Sequence, residues 1–409
     1  MANVSSSNGI EKYPRLRFPE FTKPWDSVQL GALFKKNTQK NSAGFVTNVI
    51  CNSAKNGLIP QKDYFDKDIA NADNTAGYYI ISKNDFVYNP RKSADAPYGP
   101  ISRYTYEDDG IVSPLYLCFR GNKDVNPEYF ERYFRSSAWH SYIYMSGDSG
   151  ARHDRVSIKD DTFFEMPIYL PCNNEQMKIA DFLSLLEKKI EYQTALIDNL
   201  KKYKRGLAKR LFEEITLMHP SDEIESLFSF IRNGFVGTVT PYFTDKNKGV
   251  RYLQGTNVHS GKITDDTEFY ISKEFNEKHQ KNILKPDDIL VVQSGHVGEC
   301  AVVGDKYAGA NCHALIIMSN AGSCCSKYVA QYINSDIGIQ KIAAITTGNT
   351  IKHILATTIA KVTVPVPSLD EQKRIANVLE KTDKHIDLEE QFLMHLISMR
   401  QGFLQQLFI

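Results

Sequence analysis

Four short clusters carry the side chains best suited to hydrogen-bonding chemistry. Asn89-Pro90-Arg91-Lys92 follows an extended apolar run and precedes Tyr98 and Arg103. Arg152-His153-Asp154-Arg155 follows Gly147 and Gly150. Its counterpart by position is Gly348-Asn349-Thr350-Ile351-Lys352-His353. Gln293-Ser294-Gly295-His296 closes a second apolar run. Arginine and lysine suit guanine edges or phosphates, while asparagine and glutamine suit adenine edges. Loops carried on a rigid frame are where recognition groups commonly sit. The candidate nucleic-acid contacts are therefore Arg91, Lys92, Tyr98, Arg103, Arg152, His153, Arg155, Gln293, Ser294, His296, Asn349, Lys352 and His353. Lys201-Lys202-Tyr203-Lys204-Arg205 is a denser basic run, read either as charge suited to a helix end or as a phosphate contact.

Catalytic signatures are missing. Gly261-Lys262 lacks the upstream glycine of a phosphate-binding loop, and no H-E-x-x-H or metal-spaced Cys/His set occurs. No strand-borne G-x-G-x-x-G marks a cofactor site. Asn126-Pro127-Glu128-Tyr129 has the outline of the Asn-Pro-Pro-Tyr motif of adenine methyltransferases, but its second proline is absent and Pro127 suits the first turn of a helix. Pro286-Asp287 with Glu299 has no following E-x-K and reads as turn chemistry. Catalysis is not expected in this chain, and no metal or cofactor is expected to bind it.

The elements that position these loops repeat. Pro171-Cys172-Asn173-Asn174-Glu175-Gln176-Met177-Lys178-Ile179-Ala180 returns as Pro367-Ser368-Leu369-Asp370-Glu371-Gln372-Lys373-Arg374-Ile375-Ala376, at an offset of 367 − 171 = 196. The register holds without a gap to Leu211-Phe212 and Leu407-Phe408. In the first copy Ile179, Leu183, Leu186, Ile190, Ile197, Leu200, Leu207 and Leu211 mark a heptad seam interrupted by Gln193 and Lys204. In the second, Ile375, Leu379, Ile386, Leu393, Leu396, Phe403 and Leu407 do so, interrupted by Thr382, Glu389 and Arg400. The matched polar positions fit a register device or a wet stretch of seam. Asn173/Asn174 and Ser368/Asp370 supply capping chemistry, and Glu175 and Glu371 suit the positive helix end. A helix over 174–211 would run roughly 57 Å. Two such seams are best buried against each other, as an antiparallel pair. Phe182, Leu196, Val378 and Phe392 fall off the seam and are candidate partner-binding residues, or else pack on the chain's own domains.

Strands are expected over 78–81, 85–88, 113–119, 288–292, 301–303 and 314–318, with short helices over 127–137 and 327–333. The order of elements is shared between the halves while their residues are not. The expected architecture is α+β: two mixed α/β domains separated by two long helices forming an antiparallel coiled coil, with a pseudo-two-fold inside one chain. The boundaries read 1–170, 171–215, 216–366 and 367–409. At 409 residues two or more domains are expected. The net charge of +1 means that any nucleic-acid-binding groups must be gathered on one face. The absence of a leader pattern and the seven unpaired-looking cysteines suggest a reducing, cytoplasmic setting, and no run is long enough to span a membrane.

Together these features resemble the specificity subunit of type I restriction-modification systems. The resemblance is carried by Pro14-Arg15-Leu16-Arg17-Phe18-Pro19 with Trp25, by the two Pro-x-x-x-Glu-Gln-x-x-Ile-Ala helices, and by Ile283-Leu284-Lys285-Pro286-Asp287-Asp288-Ile289-Leu290. It covers essentially the whole chain. It implies two target-recognition domains, each reading one half of a bipartite, asymmetric site in double-stranded DNA, spaced by the helices. It also implies docking of two methyltransferase subunits and two restriction subunits. S-adenosylmethionine, ATP and magnesium would belong to those partners. The competing expectations are a DNA methyltransferase or nuclease with degenerate motifs, and a coiled-coil assembly protein.

Overall fold

A computed structural model describes residues 2–3, 12–64, 75–147, 154–259, 261–348 and 352–409. The chain forms two compact units. Unit 1 comprises Met1–Gln193 with Phe392–Ile409, and unit 2 comprises Thr194–Gln391.

Unit 1 is built on β1 (Phe34–Lys36), the hairpin β2 (Ile50–Ser53) and β3 (Gly57–Pro60), then β4 (Phe86–Tyr88), β5 (Ile101–Arg103) and β6 (Leu117–Gly121). Helices α1 (Pro127–Arg135) and α2 (His140–Ser146) follow, and α3 (Asn173–Met218) leaves the unit through its middle. The main sheet is antiparallel in the order β1-β6-β4-β5. Its inner face is aromatic: Phe34, Phe86 and Phe119 pack edge-on or stacked with Phe134 of α1. Asn126 starts α1, its side-chain oxygen accepting the N–H of Tyr129 at 3.0 Å. That carboxamide therefore caps a helix and the Tyr129 ring is fully buried, which removes both from any substrate.

Unit 2 repeats the frame with β7 (Phe228–Asn233), β8 (Ile289–Val292), β9 (Cys300–Val302) and β10 (Leu315–Asn320), in the antiparallel order β7-β10-β8-β9. Helices α4 (Ser326–Ile333), α5 (Asp336–Ile345) and α6 (Leu369–Gln406) complete it. Here the core is aliphatic, with Ile289, Val291, Ile316 and Met318 from the sheet meeting Tyr328 and Tyr332 from α4. The expected short elements are present, with ends that differ from expectation by up to a few residues in either direction. The 113–119 strand begins only at Leu117, because Ser113-Pro114 lies in a turn that Tyr116 closes by donating to the Ser113 carbonyl.

The long helices follow the repeat. In unit 1, Ile179 and Leu183 of α3 share a core with Leu407 and Phe408 just past the end of α6, and Phe182 meets Phe403 of α6 at 5.0 Å. In unit 2, Phe212 and Ile215, late in α3, share a core with Ile375 and Leu379, early in α6. Early residues of one helix meet late residues of the other, so the pair is antiparallel. The helix expected over 174–211 extends to Met218, because its last turns bury Ala208, Phe212 and Ile215 in the unit 2 core.

The repeated glutamines explain themselves. Gln176 Nε2 donates to the Pro171 carbonyl at 2.9 Å, and Gln372 Nε2 donates to the Pro367 carbonyl at 3.0 Å. Each binds the entering strand to the first turn of its helix, where a carbonyl would otherwise be buried unpaired. Ser368 accepts from Glu371 N, as its capping chemistry suggests. Because α3 begins at Asn173, the Ser368-equivalent position is Cys172, and both asparagines lie inside the helix. No described helix is long and apolar enough to cross a membrane.

Candidate nucleic-acid interface

In unit 1 the site grows from the end of β4. Tyr88 is buried, and its hydroxyl donates to the Tyr98 carbonyl at 2.8 Å. The next residue, Asn89, accepts the Arg91 N–H at 3.1 Å and donates to the Asn52 carbonyl at 3.2 Å, so the turn is fixed from both sides. Pro90 accepts the Val156 N–H at 2.8 Å and Lys92 N donates to the Asp154 carbonyl at 2.9 Å. Arg91 and Arg155 thus face each other as an isolated antiparallel bridge. Gly99 is required behind this turn: its φ is +82°, and a Cβ there would lie 2.2 Å from the Asn89 carbonyl oxygen.

The β2–β3 hairpin brings a further cation. Asn52 is buried, donating to the Val87 and Pro100 carbonyls and accepting from Ser102 Oγ at 2.7 Å. This carboxamide bolts the hairpin to the sheet and places Lys55, at its tip, beside Arg91, Lys92 and Arg155 around a groove of about 590 Å³. Lys55 was not among the residues expected from sequence. The Asn56-Gly57 pair, with Gly57 at φ +70°, is the turn signal that would have found it. Arg155 Nε is buried and has no acceptor within the described protein.

Unit 2 holds the same frame with different contents. Gln293, directly after β8, accepts the Ile354 N–H at 3.1 Å, as Pro90 accepts Val156. Ser294 and His353 form the antiparallel bridge that Arg91 and Arg155 form in unit 1. His353 is held on its other side by paired N–H···O bonds with Thr347, each 2.9 Å. His296 makes a 3.1 Å hydrogen bond to the Gly255 carbonyl and stacks on His259 at 4.4 Å. Next to it a cleft of about 940 Å³ is lined by Lys201, Lys204, Lys262 and Lys352 among others. Lys201 is paired with Glu390 at 2.7 Å and Lys204 with Asp383 at 2.6 Å, so two members of the basic run have structural partners.

The structure therefore gathers Arg91, Lys92 and Arg155 in one unit, and Gln293, Ser294, Lys352 and His353 in the other. Two expected contacts are otherwise engaged. Arg103 docks β5 on α1, bonded to Glu128 at 2.7 Å, Glu131 at 2.8 Å and Asn84 at 3.0 Å. Tyr98 is half-buried and packs on His140, with ring centroids 4.8 Å apart. Burial holds the His140 imidazole below its usual pKa of 6.5. Arg152, His153 and Asn349 lie outside the described residues. Of the four residues off the seam, Leu196, Val378 and Phe392 are each 41% exposed. Phe182 is instead enclosed between Phe403 and Phe18.

The opening Arg-Phe-Pro is tied to the helix repeat. Arg17 meets Glu175 through two 2.7 Å bonds, Nε to Oε1 and Nη2 to Oε2, with both side chains buried. In the second copy Glu371 is partly exposed and meets His219 at 3.5 Å and, one turn along its own helix, Arg374 at 3.1 Å.

These features define a protein of two like-framed units on a paired-helix frame, and comparison with known proteins places it. The family model for the type I restriction modification DNA specificity domain matches residues 22–202 and 232–396, and the chain belongs to that family. It is 23% identical over 248 residues to the type I restriction enzyme MjaVIII specificity subunit of Methanocaldococcus jannaschii, across 56% of this chain and 58% of that protein. The chain spans 65% and 58% of the lengths of two curated relatives that it matches. Among solved structures, the type I restriction-modification S subunit from M. genitalium aligns with a TM-score of 0.54 at 14% identity, covering 97% of this chain and 99% of that one. A chain from a study of complex assembly and conformational transition of the type I R-M system aligns at 0.58 and 14% identity, covering 93% and 96%. At such identities these likenesses establish the fold.

Proposed function

We propose that this chain is the DNA-reading subunit of a type I restriction-modification complex. Each unit reads one half of a bipartite, asymmetric site in double-stranded DNA. The observation that carries this reading is the twice-used loop bridge: one backbone arrangement presents Arg91 and Arg155 in one unit and Ser294 and His353 in the other. A shared frame with unlike side chains suits two different half-sites. Helix length would set the gap between them.

Methylation and cleavage would belong to bound subunits, two for methyl transfer and two for restriction. S-adenosylmethionine, ATP and magnesium would be theirs. The capping role of Asn126 and the burial of Tyr129 support an adaptor over a degenerate methyltransferase. The exposed Leu196, Val378 and Phe392 are proposed as part of the docking surface for those subunits, and the working compartment is proposed to be the cytoplasm.

The test is co-expression with the cognate methyltransferase subunit, followed by genome-wide mapping of modified adenines. A bipartite motif is expected. Exchanging residues 26–165 for those of another family member should change one half of it. A single undivided motif, or a change in both halves, would refute the two-reader reading. Tight S-adenosylmethionine binding by the isolated chain would refute the adaptor reading.

A further inference from the structure

The two bridged loop sites differ in how their cations are partnered. Around the unit 1 groove stand Lys55, Arg91, Lys92 and Arg155, and among the described residues none of these side chains forms an ion pair. Asp95 also lines the groove without pairing to them. Lys55, Arg91 and Lys92 are exposed, and Arg155 carries a buried N–H with no acceptor. In unit 2 the cleft cations are largely spoken for. Lys201 meets Glu390, Lys204 meets Asp383, Lys262 meets Asp387 and Arg205 lies 3.9 Å from Asp336. Lys352 alone among the lysines and arginines lining that cleft has no ion pair within the described residues.

A cation facing its own carboxylate projects little field, whereas four unpaired cations around one groove add their potentials. Binding a phosphate to an unpaired cation releases a counterion from the DNA and makes affinity fall with salt. The neutral groups at the unit 2 bridge, Gln293 and Ser294, contribute no such dependence but can report base edges.

We propose that the units divide the work of binding. The Lys55–Arg91–Lys92–Arg155 groove of unit 1 grips backbone phosphates and supplies most of the salt-dependent affinity, while the unit 2 bridge contributes base discrimination with little net charge. This rests on the DNA-reading function proposed above.

The experiment uses the full chain assembled with its methyltransferase subunit. The probe is a fluorescein-labelled duplex of random sequence, long enough to cover both readers. Affinity is measured from low to moderate salt, and the slope of log K against log salt is the readout. Each phosphate contact contributes about −0.9 to that slope. Changing all four unit 1 cations to glutamine should flatten it by about 3 to 4. Changing only the exposed tips, Lys55→Gln with Lys92→Gln, should flatten it by about 2, which guards against a folding defect at Arg155. Gln293→Ala with Ser294→Ala and Lys352→Gln should flatten it by no more than about 1, and should relax one half of the modified motif in cells. Equal flattening by the two sets, or a wild-type slope in both unit 1 variants, overturns the division of labour. A wild-type complex with no salt-dependent affinity at all would instead sink the DNA-reading function.

Discussion

Replacing Arg17 by Met should destabilise unit 1 severely while leaving unit 2 almost untouched. The guanidinium makes two 2.7 Å bonds to Glu175, and the two side chains are only 7% and 1% exposed. Methionine keeps the apolar stem but strands a buried carboxylate, a change that typically costs about 3–5 kcal/mol. Unit 1 has about 210 residues, and a unit of that size shifts its midpoint by about 2–4 °C per kcal/mol. The expected drop is therefore about 6–20 °C. Both tryptophans of the chain, Trp25 and Trp139, are buried in unit 1, so thermal unfolding followed by tryptophan fluorescence reports that unit. The control is Glu371→Gln, at the equivalent position of the repeat. Its partners are His219 at 3.5 Å and the exposed Arg374 at 3.1 Å, and the carboxylate is 27% exposed, so the loss there, read by calorimetry because unit 2 holds no tryptophan, should be under about 1 kcal/mol. Adding Glu175→Met to Arg17→Met should recover much of the loss, because the orphaned charge is gone. A fluorescence midpoint within about 2 °C of wild type for Arg17→Met would refute the reasoning, as would equal shifts for the two copies.

His140 should make unit 1 acid-sensitive. Its folded pKa is lowered by burial, so the unfolded chain binds the proton more readily and stability falls as pH drops through about 6.5. His140→Phe should show a smaller loss in urea midpoint between pH 7 and pH 5. Gly99→Ala forces a Cβ to within 2.2 Å of the Asn89 carbonyl oxygen at φ +82°, and should weaken DNA affinity by displacing the Arg91 turn. An unchanged affinity would separate the turn from the binding site. Alkylation followed by mass spectrometry should label the exposed Cys172 first. Cys118 and Cys312, whose thiols burial pushes up to about 12, should react only after unfolding.

The paired helices were legible because a heptad seam and a gapless repeat are both periodic signals, and Ser368 marks the start of the second. The end of α3 was not. Beyond Lys204 its buried face passes to Ala208, Phe212 and Ile215, which answer to the whole unit 2 core, sheet and α4 included, and not to the partner helix alone. The loop clusters could be located from strand ends and glycines, and Arg91 and Arg155 do meet. Arg103 shows where that logic stops. Its carboxylate partners, Glu128 and Glu131, lie one helical turn apart on α1, and only the packing of α1 on β5 brings them to it. Lys55 was missed for the converse reason. Nothing local distinguishes it from other exposed lysines until buried Asn52 fixes its hairpin against the sheet.

The loop bridge has a consequence for how such a protein can change. Val156 donates to Pro90 and Ile354 donates to Gln293 entirely through main-chain atoms. No side chain at positions 91, 155, 294 or 353 is needed to make those two bonds. Those four positions can therefore be rewritten one at a time while the loops keep their course. On the proposed DNA-reading function, a change of target becomes a series of small steps, each leaving these main-chain bonds in place.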